Sequence, residues 1–138
     1  MDVTADLSHS QEIERQSQKI VYVKELRAHK PIAAAYEQAW QEKVERIGNL
    51  NYPEQARKEK ISGSLTLAVA IRPDGGLYSI KVLQSSGQVV LDEAARNIVN
   101  LCAPFAPFPE ELKKDVGILV ITRTWRFLND YHLETKGD

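Results

Sequence analysis

Leu65, Leu67, Val69 and Ile71 alternate with Thr66, Ala68, Ala70 and Arg72. A period of two puts successive side chains on opposite sides of a strand, so this segment predicts a strand with one thoroughly apolar face. Arg72-Pro73-Asp74-Gly75-Gly76 is a turn signal, and alternation resumes from Leu77 to Ser86 with Tyr78, Ile80 and Val82 on one side. Residues 64 to 86 therefore read as a β-hairpin. After Ser85-Ser86-Gly87 the period changes: Leu91, Ala94, Ala95, Ile98, Val99 and Cys102 recur at helical spacing, with Asp92, Glu93, Arg96, Asn97 and Asn100 opposite. That is an amphipathic helix able to cover the hairpin. Three prolines between Ala103 and Pro109 remove backbone donors and forbid regular structure, so this stretch predicts an irregular crossover. Glu110, Glu111, Lys113 and Lys114 suit a solvated helical turn. From about Val116 to Phe127 the chain is rich in β-branched and aromatic residues, the composition of a last strand.

Upstream of the hairpin, Ile32, Ala35, Tyr36, Ala39, Trp40, Val44 and Ile47 fall three and four apart. They predict a helix from Pro31 to about Ile47, with Pro31 in the first turn, where its missing N–H is harmless. Gly48 is expected to stop that helix and Asn49, Leu50 and Asn51 to form a short extended link. A thinner stripe of Ile13, Ile20, Val23 and Leu26 suggests a helical spacer from Ser10 to Lys30, and a short helix is expected from Pro53 to about Lys60. The elements add up to an α+β fold: a three-stranded sheet, made of the hairpin plus a C-terminal edge strand, with helices packed on one face and an N-terminal helical extension.

Composition narrows the function classes. In 138 residues, 43% hydrophobic and 27% charged, 18 Lys and Arg face 19 Asp and Glu, for a net charge of -1. There is no basic stripe to neutralise phosphates, which argues against nucleic acid as a partner. One cysteine, Cys102, cannot close a disulfide within the chain, and His9, His29 and His132 are too dispersed to suggest a metal motif, so no metal and no cofactor is expected. No apolar run approaches 18 residues, and residues 1 to 30 lack the apolar centre of a secretory signal. The chain reads as either cytosolic or a piece of a tethered protein. No Ser, His and Asp signature and no Gly-rich phosphate loop occurs, so an enzyme is not expected. Asp74-Gly75-Gly76 is explained by a turn before an ion site, and Trp40 and Trp125 by the core before a ligand.

The last strand is the informative feature. Between Gly117 and Trp125 it has no proline and no bulge signal, and only Arg123 and Arg126 interrupt its apolar and β-branched content. On the outside of the sheet it would offer unpaired backbone groups to a partner strand. Six to eight ladder hydrogen bonds at roughly 0.5–1.5 kcal/mol net would yield about 3–12 kcal/mol before association entropy, enough for reversible capture of an extended peptide. The opposing reading makes this strand central, or covers its edge with the tail, the N-terminal helices or a second copy.

A set of motifs in order carries a family resemblance. Tyr52-Pro53, Ala56, Ser62-Gly63 opening a strand, Arg72-Pro73-Asp74-Gly75, Val82 to Gly87, Leu91-Asp92 with Ala94-Ala95, Phe105 to Pro109 and Thr122-Arg123-Thr124-Trp125-Arg126-Phe127 together resemble the C-terminal domain of the TonB family. The resemblance covers roughly residues 49 to 127 and implies residues 1–48 as a helical extension or linker end and residues 49–138 as the domain. It implies a periplasmic domain, tethered to the inner membrane in the full-length protein, that passes proton-motive force to outer-membrane transporters taking up siderophores or similar nutrients. It also implies ExbB and ExbD as partners through an N-terminal anchor, and leaves a homodimer open. Family members take the TonB box, a short extended transporter peptide, as an added strand on their last strand. Here that role falls on Val116, Gly117, Ile118, Leu119, Val120, Ile121, Thr122, Arg123, Thr124 and Trp125, with Asn49, Leu50, Asn51 and Tyr52 beside them. Replacing Ile121 by Pro is then expected to abolish binding by removing a ladder donor. A TolA-like or other envelope scaffold using the same edge for another protein is the alternative, and a small hydrolase or ligand-binding domain the enzyme-class rival.

Overall fold

The computed structural model describes residues 19–137, so the part of the expected spacer before Lys19 lies outside the described residues. In chain order these residues form β1 (Ile20–Tyr22), α1 (Val23–Arg27), α2 (Pro31–Leu50), α3 (Glu54–Glu59), β2 (Gly63–Ile71), β3 (Leu77–Gln84), α4 (Val89–Cys102), α5 (Glu110–Lys113), β4 (Ile118–Phe127) and β5 (Leu133–Gly137). The architecture is α+β, but the sheet has five strands rather than three. Its order is β1-β4-β2-β3, with β5 also paired to β4.

The hairpin forms, but Tyr78 does not share a side with Ile80 and Val82: a register shift between Ala70 and Ile71 sets Leu77, Ile80 and Val82 against the core and Tyr78 on the opposite face. Arg72 N–H donates to the Gly76 carbonyl and Gly75 N–H to the Arg72 carbonyl. The Asp74 carboxylate accepts from Gly76 N–H at 2.8 Å, an Asx turn that explains this aspartate without an ion. Gly75, at φ +88°, occupies a backbone region that only glycine enters freely, and a Cβ there would meet the Phe105 carbonyl oxygen. That close approach lets the crossover dock on the turn: Phe105 N–H donates to the Gly75 carbonyl and Phe108 N–H to the Pro73 carbonyl.

The helices bury their stripes against one face. Leu65, Leu67, Val69 and Ile71 of β2, with Leu119, Ile121, Trp125 and Phe127 of β4, join Ala33, Tyr36, Trp40 and Val44 of α2 and Leu91, Ala95, Ile98 and Val99 of α4 in one core. Cys102 is buried with them, and burial pushes its thiol pKa up, which leaves it inert. On the opposite face, among the described residues, a small buried cluster of Ala70, Ile118 and Val120 is flanked by Ala68. Where β3 meets α4, the Asp92 carboxylate accepts from Ser86 N–H and from the hydroxyls of Ser85 and Ser86. Burial pushes its pKa up, but these bonds outweigh it and hold the carboxyl below its usual range.

Three expectations are corrected. The stretch expected to be helical up to Lys30 begins, within the described residues, as a strand and then a five-residue helix. The long helix does not stop at Gly48 but runs to Leu50, so Asn49 and Leu50 are helical rather than an extended link. Gly48 is buried there because Leu133 and Ile98 pack against it; a Cβ would come within 2.4 Å of Leu133 Cδ2. Close packing chose glycine at this position, not helix termination.

The largest correction concerns β4, which is a central strand. One flank pairs with β2 from Ile71↔Leu119 to Gly63↔Phe127. The other is shared: β1 lies parallel to Ile118–Val120, and β5 lies antiparallel to Arg123–Phe127. No vacant edge runs beside it, and the reason is the chain itself, whose segments before α1 and after β4 both fold back onto this flank.

Candidate functional site: the shared flank of the central strand

The sequence-selected residues separate into three groups. Val116 and Gly117 precede β4, and Gly117 N–H and Ile118 N–H both donate to the Lys19 carbonyl, at 2.9 and 2.8 Å. Ile118, Leu119 and Val120 face β1 in the register Ile20↔Ile118, Val21↔Leu119, Tyr22↔Val120. Arg123, Thr124 and Trp125 face β5, while Ile121 and Thr122 lie between the two registers. Asn49 sits beside β5, Leu50 is 79% exposed, and Tyr52 is buried under the β4–β5 turn. Tyr52 stacks edge-on with Phe127 and Tyr131, and its hydroxyl donates to the Leu128 carbonyl. Asn51 is exposed and its amide donates back to the Ile47 carbonyl within the helix end.

The two strands on this flank are held unequally. Strand β5 is locked from both sides. Its Leu133 and Thr135 are buried, and its outer backbone is satisfied by side chains one helical turn apart on α2. Leu133 N–H donates to Asn49 Oδ1 at 2.8 Å while Asn49 Nδ2 donates to the Leu133 carbonyl at 3.1 Å. Thr135 N–H donates to Glu45 Oε2 at 2.8 Å, and Gln41 Nε2 donates to the Thr135 carbonyl at 3.2 Å. Arg123 completes the lock, its Nε donating to Thr135 Oγ1 and its Nη2 to the Thr135 carbonyl.

Arg123 also enters a buried ionic cluster that pattern reading missed. Its Nη1 donates to Glu37 Oε2 at 2.9 Å, and Arg27 Nη1 donates to both oxygens of the same carboxylate at 2.8 and 2.9 Å. Glu37 and Arg123 are each only 5% exposed. A signal was present: Arg123 shares the strand phase of Leu119, Ile121, Trp125 and Phe127, so it points into the core, whereas Arg126 takes the opposite phase and pairs with Glu134 on the outer face.

Strand β1 is held lightly. It has three residues, and Ile20 and Tyr22 are 55% and 50% exposed. Only Val21 packs against the core. The firm anchors of this segment follow it: Val23 and Leu26 are buried in α1, and Lys30 forms an ion pair with Asp115 just before β4. The hydrogen bond and charge of Lys30 hold the Asp115 carboxyl below its usual range.

Among the described residues no group of three or more His, Cys, Asp or Glu could hold a metal ion. A cavity of about 60 Å³ is lined by Tyr36, Trp40, Lys43 and Phe105. Tyr36 Oη donates to the Ala106 carbonyl and Lys43 Nζ to the Pro104 carbonyl, while the buried Trp40 Nε1 has no hydrogen-bond partner. Burial pushes the Tyr36 phenol up to about 12, so it supplies no acid or base near neutrality.

What these residues build is a small α+β scaffold organised around one central strand. The family described as Gram-negative bacterial TonB protein C-terminal matches residues 48–128, more than half of the chain, and the chain belongs to it. It is therefore a TonB-like periplasmic domain of energy transduction, from a family of transport proteins that are not enzymes and that interact with outer-membrane transporters. No curated protein and no solved structure matches the chain. The family match begins at Gly48 and ends at Leu128, so both strands that share the flank of β4 lie outside it. Among the described residues no helix is long and apolar enough to cross a membrane.

Proposed function

We propose that this domain captures the TonB box of outer-membrane transporters as an extended strand on the β1/β5 flank of β4. By that grip it passes inner-membrane proton-motive force to the active uptake of siderophores or similar nutrients. The observation that carries the reading is the family match over residues 48–128, which ends just past β4 and so includes the whole central strand. Because β4 is central, a guest gains its ladder by exchanging with a resident strand rather than by adding to an open edge. Backbone pairing is common to all sequences, so one domain can serve transporters whose boxes differ. The contact surface is Val116 to Trp125, with the α2 terminus at Asn49, Leu50 and Asn51 and with Tyr52 beside it. Coupling to ExbB and ExbD through an inner-membrane anchor, and self-association into a homodimer, belong to the same reading and rest on family membership alone.

The test is a titration of isotope-labelled domain with TonB-box peptides while amide shifts are mapped. Shifts centred on Val116 to Thr122 are expected. Shifts confined to Tyr78–Gln84 would move the site to β3, the outer strand on the far side of the sheet, whereas a TolA-like scaffold would take a different protein partner on the same β4 flank. A pull-down against transporter plugs separates those partners. Ile121→Pro does not serve as a probe of binding, because Ile121 is fully buried and registered against Val69 of β2, so proline there disrupts the sheet itself.

A further inference from the structure

We propose that β1 is a built-in stand-in for the guest strand: Lys19 to Tyr22 occupy Ile118–Val120 of β4 until an extended peptide with an aliphatic residue at the place of Val21 displaces them. The inference rests on the functional reading above and names how its site is regulated.

Three contrasts single out β1 rather than β5. It runs parallel to β4 through only three registered pairs, and two of its three side chains are half exposed. Strand β5 has five pairs, two buried side chains and bonds to Gln41, Glu45, Asn49 and Arg123, each of which would lose a partner if it left. The residues that anchor the chain after β1, Val23 and Leu26, lie in α1, so β1 can peel away without unseating the helix. Both strands also lie outside the family match, so the matched segment does not itself include β1.

The vacated place dictates the guest. Val21 packs partly against the core, and that slot takes a medium-sized aliphatic side chain. Ile20 and Tyr22 lie on the other face, over a groove of about 320 Å³ that includes Ala70, Tyr78, Ile118 and Val120. The guest thus alternates, one aliphatic residue inward and apolar or neutral residues outward on either side. Proline is excluded wherever the guest must donate a ladder N–H.

A reversible lock tests the exchange. Ile20 and Ile118 are register partners. Adjacent strands lie about 4.7–4.9 Å apart, within the Cα separation of about 4.4–6.8 Å that a disulfide spans. The double variant Ile20→Cys/Ile118→Cys is titrated, oxidised and reduced, with a fluorescent TonB-box peptide. A chain lacking residues 1–22 is titrated beside it, with a synthetic peptide copying residues 17–24 as competitor. If β1 is docked about nine-tenths of the time, the guest's apparent affinity is reduced about ten-fold, since only the open fraction binds. The shortened chain is then expected to bind the box about ten-fold more tightly than the full chain, the oxidised variant not to bind it, reduction to restore binding, and the 17–24 peptide to compete. Equal binding by oxidised and reduced forms, or failure of the 17–24 peptide to compete, overturns the proposal while leaving box capture intact. Absence of box binding in every form, the shortened chain included, overturns box capture and this inference with it.

Discussion

At the residue scale, the Glu37 carboxylate does the most to join separate segments. It lies between two guanidiniums and connects α1, α2 and β4, and Arg123 carries the connection on to β5. Charges this deeply buried are tolerated only because each finds its partners, and removing one leaves the other without compensation in a low dielectric. Glu37→Gln is therefore expected to lower stability by about 3–5 kcal/mol. Urea denaturation reads this directly; a loss below about 1 kcal/mol would show that the cluster is solvated in practice. Asn49, placed just before Tyr52-Pro53, contacts a strand on the β4 flank, and that strand is the chain's own β5.

At the scale of elements, the two strands on one flank differ in what their departure exposes. Loss of β1 frees three pairs and one partly buried valine. Loss of β5 uncovers Leu133 and Thr135 and strips partners from four polar side chains, each unmet buried group costing about 1–3 kcal/mol. Local opening follows such differences. Hydrogen exchange should therefore find amides in Ile20–Tyr22 opening at least about ten-fold faster than those of Leu133 and Thr135. Equal protection of both strands would mean that β1 opens only with the whole sheet. The hairpin and α4 were legible because each satisfies its own pattern within a short window. Strand β1 was not, since three residues carry no period, and β5 offered only Leu133 and Thr135 against Glu134 and Lys136.

At the scale of the whole molecule, Trp40 of α2 and Trp125 of β4 meet edge-on with ring centroids 6.5 Å apart, in a core shared by the helices and the sheet. If α2 and the sheet fold as one unit, tryptophan fluorescence and far-ultraviolet circular dichroism will report a single coincident urea transition. An earlier fluorescence transition would instead mark the segment before residue 49 as a separately melting extension. The same connectivity bears on force. A guest strand on β4 pulls on a strand held along its other flank by nine registered pairs with β2, so load spreads into the centre of the sheet rather than onto a rim.

The sequence by itself determined the hairpin, α2, α4 and β4 as elements, the buried faces of β2, α2 and α4, and the family to which residues 48–128 belong. Those features depend on neighbours close in sequence and on a linear order of motifs. The neighbours of β4 were decided only in three dimensions. Pairing depends on where distant segments come to rest, and the residues of β1 and β5 acquire their role from α2, Arg123 and the flank they cover, none of which lies near them along the chain.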